Sequence, residues 1–152
     1  MRFFARGDRE KRPGDESVKE KWQIVQGERA GRPLIARFNA GAQHLAGSPR
    51  YGIQIGVAIP LRLPDSRGLP QGKEFDEINS IEETLLGKVA GRALLVGVIT
   101  TGGMREFVLY TGSGEWIRSF HEEMRAAITT HEVQVMAQAD PDWSVFRQFI
   151  PT

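Results

Sequence analysis

The chain is predicted to adopt an α+β fold: a ferredoxin-like (split βαβ) antiparallel sheet with two helices on one face, an N-terminal β-hairpin and a short C-terminal helix. Three observations lead there. From Tyr51 onward the periodicity of apolar residues switches in the order strand, helix, strand, strand, helix, strand. The run Tyr51 to Ile59 alternates strictly, with Ile53, Ile55, Val57 and Ile59 on one side and Gly52, Gln54, Gly56 and Ala58 on the other. Two helical stripes stand on either side of a pair of apolar strands, and right-handed crossovers bring both helices to the same face of the sheet.

Taken in order, residues 1–21 are dense in charge, Gly and Pro and poor in large apolar side chains, a composition that cannot bury enough surface to offset ordering entropy. They read as a flexible charged lead, and residues 22–152 as a single ferredoxin-like domain. Trp22 to Val25 and Pro33 to Phe38 form two strands around Gly27-Glu28-Arg29-Ala30-Gly31-Arg32, which makes a hairpin. A loop through Gly41, Gly47, Ser48 and Pro49 leads to the strand at Tyr51, central in this arrangement, and Pro60 to Gly72 is loop by its Pro and Gly content. Phe75, Ile78, Ile81, Leu85 and Val89 step by three and four as in a helix. Glu74, Asp76 and Glu77 sit in its first turn, and Gly91 closes it.

Ala93 to Thr100 and Arg105 to Tyr110 are strands joined through Gly102-Gly103. Ser113 offers a cap to the second helix, whose stripe is Ile117, Phe120, Met124 and Ile128. Glu132 to Gln138 alternates as a last strand. In the closing stretch Asp140 can cap a helix, Pro141 suits its first position, and Asp142 suits the positive end of its dipole. Trp143, Phe146, Phe149 and Ile150 then supply an apolar face that must dock.

Composition narrows the chemistry. The chain has 152 residues, with 20 Lys plus Arg against 19 Asp plus Glu, so it lacks the basic excess of a nucleic-acid-binding surface. It has no cysteine, which removes disulfides, thiolate nucleophiles and thiolate zinc sites and fits a reducing compartment, taken here as the cytoplasm. No apolar run reaches the length of a membrane span, and the start lacks a signal-peptide pattern.

His44, His121 and His131 stand in unrelated contexts, and the residue four after His121 is Arg125, so no metal motif exists. Glu82-Glu83 and Glu122-Glu123 are adjacent on helices, where side chains diverge by about 100°, and read as solvated faces. No serine lies in a Gly-x-Ser-x-Gly elbow. No catalytic residue, metal or cofactor is therefore nominated.

The functional clue is the bare sheet face of Gly52, Gly56, Ala58 and Gly97, which lets other groups approach the backbone closely. Three fillers fit it: the N-terminal hairpin with Trp22 and Phe38, a second copy of the chain, or a ligand or peptide.

From Trp22 to Pro151 the chain resembles the bacterial family called domain of unknown function 695. The matching points are Trp22, Gly31-Arg32-Pro33, the strand at Tyr51, and Ile81-Glu82-Glu83 with Leu85. They continue with Val96-Gly97, Thr100, Gly103, Arg105-Glu106-Phe107, Tyr110 and Asp140-Pro141-Asp142-Trp143 with Pro151. The resemblance implies a ferredoxin-like fold and supplies no catalytic residues. Similar domains are joined or likened to small inhibitors of ribonuclease E, which implies by analogy a protein partner.

The function expected is a non-enzymatic protein–protein interaction or regulatory module, with self-association through the open sheet face as one form of it. The alternative is a small-molecule binder or enzyme using a pocket between the N-terminal hairpin and the sheet, with Arg37, Arg105 and Tyr110 as its binding contacts. Neither a nucleic acid nor a membrane is an expected partner.

Overall fold

The computed structural model describes residues 18–151. Six strands form one antiparallel sheet: β1 (Trp22–Arg29), β2 (Arg32–Asn39), β3 (Ile53–Pro60), β4 (Leu94–Thr101), β5 (Met104–Thr111) and β6 (Gln134–Ala139), in the order β1-β2-β4-β5-β3-β6. Helix α1 (Gly72–Val89) follows β3, α2 (Ile117–Ala127) follows β5, and the short α3 (Ser144–Arg147) follows β6. The charged lead, up to residue 17, lies outside the described residues. Residues 18–21 run beside the end of β2, where the Asn39 side chain accepts from the backbone N–H of both Lys21 and Gly41.

Strand alternation divides the core in two. Ile55, Val57 and Ile59 of β3, Phe107 and Leu109 of β5, and Leu95 and Val98 of β4 face α1 and α2. There they meet Ile78, Ile81, Leu85, Phe120 and Met124. Helix α1 buries Ile78, Ile81, Leu85 and Val89 of its predicted stripe and α2 buries Phe120 and Met124, but Phe75, read from sequence as the first member of the α1 stripe, stays exposed at its margin, as does Leu86. On the opposite face Leu34, Ala36 and Phe38 of β2, Val96 of β4, and Val108 and Tyr110 of β5 pack under Tyr51, Trp143, Phe146 and Ile150.

Part of the bare face is thus filled by the C-terminal tail and the loop that carries Tyr51, and the part around Gly56 stays open. The N-terminal hairpin does not fold over it. Instead β2 pairs with β4 and extends the sheet in plane, which satisfies a row of backbone groups that a packed-down hairpin would leave open. This extension moves the middle of the sheet to β4 and β5, and leaves β3 between β5 and the edge strand β6.

Gly97 explains part of the bareness. Val96 and Gly97 together oppose Val108, a β-bulge, and a Cβ on Gly97 would stand 2.1 Å from the Phe38 ring. The turn from β4 to β5 uses Gly102 and Gly103 at φ 60° and 77°, the pair of positive φ values that a tight two-residue hairpin needs.

Three local expectations differ. Tyr51 lies in a 3-10 turn (Pro49–Tyr51) ahead of β3. Ser113 does not cap α2, whose N-cap position is Trp116. The last helix starts at Ser144, three residues later than Asp140-Pro141 predicts, because Trp143 takes a left-handed conformation (φ 58°, ψ 46°) that swings its ring into the core. Asp140 still serves as the cap: its carboxylate accepts from the backbone N–H of Ser144 (2.8 Å) and Val145 (3.2 Å), and from Ser144 Oγ (2.7 Å). Pro141 remains in the exposed turn before it.

Candidate functional site

Strand β5 carries Arg105 and Glu106 side by side, so their side chains leave on opposite faces of the sheet. Each opens onto a concavity.

On the helix face, Arg105 and Arg37 lie in a cleft of about 200 Å³ between α1 and the β1–β2 hairpin, walled by Ile24, Ile35, Phe75 and Val98. Arg37 of β2 donates to Glu82 of α1 and stands over the Trp22 ring, 5.3 Å from its centroid. Glu82, read from sequence as a solvated helix face, is thus held by the protein's own arginine. Arg105 is only 9 % exposed. Its Nε donates to Thr100 Oγ1 at 2.7 Å, across the β4–β5 pair, and among the described residues its terminal nitrogens bond to nothing and no carboxylate forms an ion pair with it. Burial pushes the Arg105 pKa down, with Glu82 opposing and Arg37 adding to that shift. Ile24, 72 % exposed, and Phe75, 49 % exposed, leave apolar surface at the rim.

Tyr110 does not share this site. It lies five residues beyond Arg105 on the same strand and therefore on the other face, stacked on Trp143 with ring centroids 4.1 Å apart at 10°. Its hydroxyl donates to Asp140 Oδ2 at 2.7 Å, and burial, reinforced by that carboxylate, pushes its pKa far up. Tyr110 and Asp140 are locked together as part of the tail's seat, out of reach of solvent. Of the three sequence candidates, Arg37 and Arg105 converge and Tyr110 stands apart.

On the opposite face, the part of the sheet that the tail leaves open forms a groove of about 280 Å³ over β3, β5 and β6. Its polar lining is Glu106, Arg29, Gln54, Gln138 and Gln148. Glu106 lies over Gly56, so close that a Cβ there would meet its Oε2 at 2.7 Å. Burial pushes the Glu106 carboxyl above its ordinary value, partly offset by Arg29. Sequence reasoning marked Gln54 and Gly56 as part of the bare face. It missed Glu106 and Arg29; the alternation of β5 puts Glu106 on the face opposite Arg105, but only the β3–β5 register, which pairs it with Ala58, brings it near Gly56.

Another pair escaped it. His131 Nε2 meets Glu74 Oε2 at 2.6 Å in the interior, and Glu74 turns away from its helix dipole to accept from the backbone N–H of Arg62 and, at 2.9 Å, of Leu63. This ties the 60–72 loop to the chain before β6. His44 is exposed, and His121 bonds the Val133 carbonyl at 2.9 Å. The three histidines serve separate regions, and no group of three metal-ligating side chains occurs among the described residues.

The fold defines a small mixed α/β domain with an open six-stranded antiparallel sheet, and each face of that sheet carries a concavity lined by a largely buried charge, Arg105 on one and Glu106 on the other. The chain belongs to the family of unknown function DUF695, whose family model matches residues 20–150. No curated protein and no solved structure matches it. No helix among the described residues is long and apolar enough to cross a membrane.

Proposed function

We propose that residues 22–152 form a single ferredoxin-like domain that works in the cytoplasm as a non-enzymatic recognition module. In this reading it docks an acidic, otherwise apolar segment of a partner protein in the cleft between α1 and the hairpin. The ferredoxin-like reading is supported by the order β4-β5-β3-β6, with α1 between β3 and β4 and α2 between β5 and β6. The cytoplasmic reading rests on the absence of cysteine.

Arg105 carries the functional reading. A guanidinium taken out of water without a carboxylate is costly, and a buried cation is normally paired. Here Glu82 is engaged by Arg37, and among the described residues the cleft is lined by two arginines and by no carboxylate. An incoming carboxylate restores the balance, and Arg offers it a bidentate partner. At about 200 Å³ the cleft is below the roughly 300–1,000 Å³ of small-molecule pockets and suits one acidic side chain with an apolar neighbour. The exposed Ile24 and Phe75 extend the apolar contact beyond it.

The test is a peptide library built in matched pairs, Asp against Asn, flanked by Ile, Leu or Phe and read by fluorescence anisotropy. Binders should prefer Asp by at least about tenfold, as expected for a charge-assisted hydrogen bond of about 1.5–3 kcal/mol, and Arg105→Gln should abolish that preference. Equal binding of Asp and Asn members, or a preference that survives Arg105→Gln, refutes the reading.

A further inference from the structure

Glu106 is the second charge on β5 without a partner, and its surroundings are independent of the cleft. Among the described residues it makes no hydrogen bond and no ion pair, although Arg29 is near enough to act on it through space. Both line the same groove, and among the described residues they are its only charged lining residues. The groove is therefore lined by a carboxylate and a guanidinium that form no ion pair with each other.

Its uncharged lining says what can engage both. The Gln54 carbonyl is taken by the Gln138 amide at 3.1 Å, which leaves the Gln54 amide N–H groups as donors near Glu106. Ile99, Met136 and Val145 supply an apolar wall. We propose that this groove binds a compact aliphatic zwitterion, a free α-amino acid: its ammonium pairs with Glu106, its carboxylate takes Arg29 and the Gln54 amide, and its side chain rests on Ile99, Met136 and Val145.

Gly56 is the positioning element of this site. With no Cβ, it lets the Glu106 carboxylate lie against the β3 backbone, where any side chain would push it away. The volume, about 280 Å³, lies just under the usual range for small-molecule sites and matches a ligand of few atoms. The raised pKa of Glu106 agrees with this geometry, since an ammonium would relieve the cost of holding its charge out of water.

The experiment titrates the full chain with L-leucine and two matched fragments, 3-methylbutylamine, which lacks the carboxylate, and 4-methylpentanoate, which lacks the ammonium. Amide and side-chain NMR shifts of Gln54, Glu106, Met136 and Gln138 provide the readout. L-leucine should bind saturably, with each fragment at least about tenfold weaker, the size expected for losing one charge-assisted contact. Glu106→Gln and Arg29→Gln should each weaken L-leucine by a similar factor, and Arg105→Gln, on the other face, should leave it unchanged. The proposal is overturned by no saturable shift up to about 50 mM, well beyond a millimolar Kd, by a fragment that binds as well as L-leucine, or by L-leucine binding that survives Glu106→Gln. None of these outcomes bears on the Asp-peptide assay, so the two sites fail or stand separately.

Discussion

Replacing Trp143 with alanine tests how the C-terminal tail is held. The ring is fully buried, stacked on Tyr110, and set edge-on to Tyr51 and Phe146 at centroid distances of 6.3 and 5.1 Å. Its indole N–H donates to the Tyr51 carbonyl at 2.8 Å. Truncating a buried Trp or Phe costs about 3–5 kcal/mol through lost transfer energy and the cavity left behind. A lost hydrogen bond and lost ring contacts place this site at the upper end, about 5 kcal/mol. With a urea m-value of about 2 kcal/mol/M, the midpoint should fall by about 2.5 M. Trp143→Phe keeps the stack and loses the N–H, and should cost less than half as much. The left-handed backbone adds an internal control. Glycine is free of the strain of about 1 kcal/mol or more that a side chain carries at φ 58°, so Trp143→Gly should be no less stable than Trp143→Ala, reversing the usual order. A midpoint shift under about 0.5 M for Trp143→Ala would show that the tail is not part of the core.

Three further outcomes can be checked by denaturation. Glu106→Gln should raise the Tm at neutral pH: the folded pKa is above the ordinary 4.5, so the unfolded carboxyl ionises first and the native chain loses stability as pH rises from there through the raised value, a loss the variant avoids. A variant less stable than the parent across pH 4–9 would contradict this. Asp140→Asn should cost about 2 kcal/mol, since Asp140 accepts from Tyr110, Ser144 and Val145 and an amide would turn donors toward donors. Burial raises the Asp140 pKa but these hydrogen bonds outweigh it, leaving it below 3.8, so its stabilisation is complete above that pH, fades as pH falls through the folded value, and should vanish from the acid limb of the variant. Gly97→Ala should cost about 1–3 kcal/mol, because Phe38 is fully buried and cannot yield to a Cβ 2.1 Å from its ring; a neutral substitution would mean that the β4 bulge is soft.

Much of the frame was legible because it is written in local periodicity. The steps of three and four from Ile78 to Val89, the alternation from Ile53 to Ile59 and the Gly102-Gly103 turn each specify an element without help from the rest of the chain. Three features were not legible in this way. The placement of the hairpin depends on β2 finding β4, some sixty residues away, and the apolar alternation of Leu34, Ala36 and Phe38 in β2 carries no mark of which strand it will pair with. The Trp143 turn breaks a sound helix-start signal because burying that ring outweighs local backbone preference. His131 and Glu74, 57 residues apart, meet only in the folded chain. One miss was avoidable: Arg105 and Tyr110 are an odd number of residues apart in one strand, and period two alone separates them.

That same period gives the two sites a common origin. Arg105 and Glu106 would form no contact with each other in any strand, since adjacent side chains point apart, and each is carried into surroundings where its own charge is unmatched. Burial moves both pKa values in the direction that disfavours the charged form, Arg105 down and Glu106 up. A chain selected for stability alone would place neutral residues at both positions, as it does at Phe107 and Val108 immediately after, which are wholly buried in the two cores. Opposite charges in successive positions also leave the net charge of the strand unchanged, so the cost is local to each concavity. Unmatched charges of opposite sign on opposite faces are what the two proposed ligands would each complement. β5 pairs with both β3 and β4 inside the sheet, so the backbone that presents these charges is fixed by the fold itself and would need no ligand to set it.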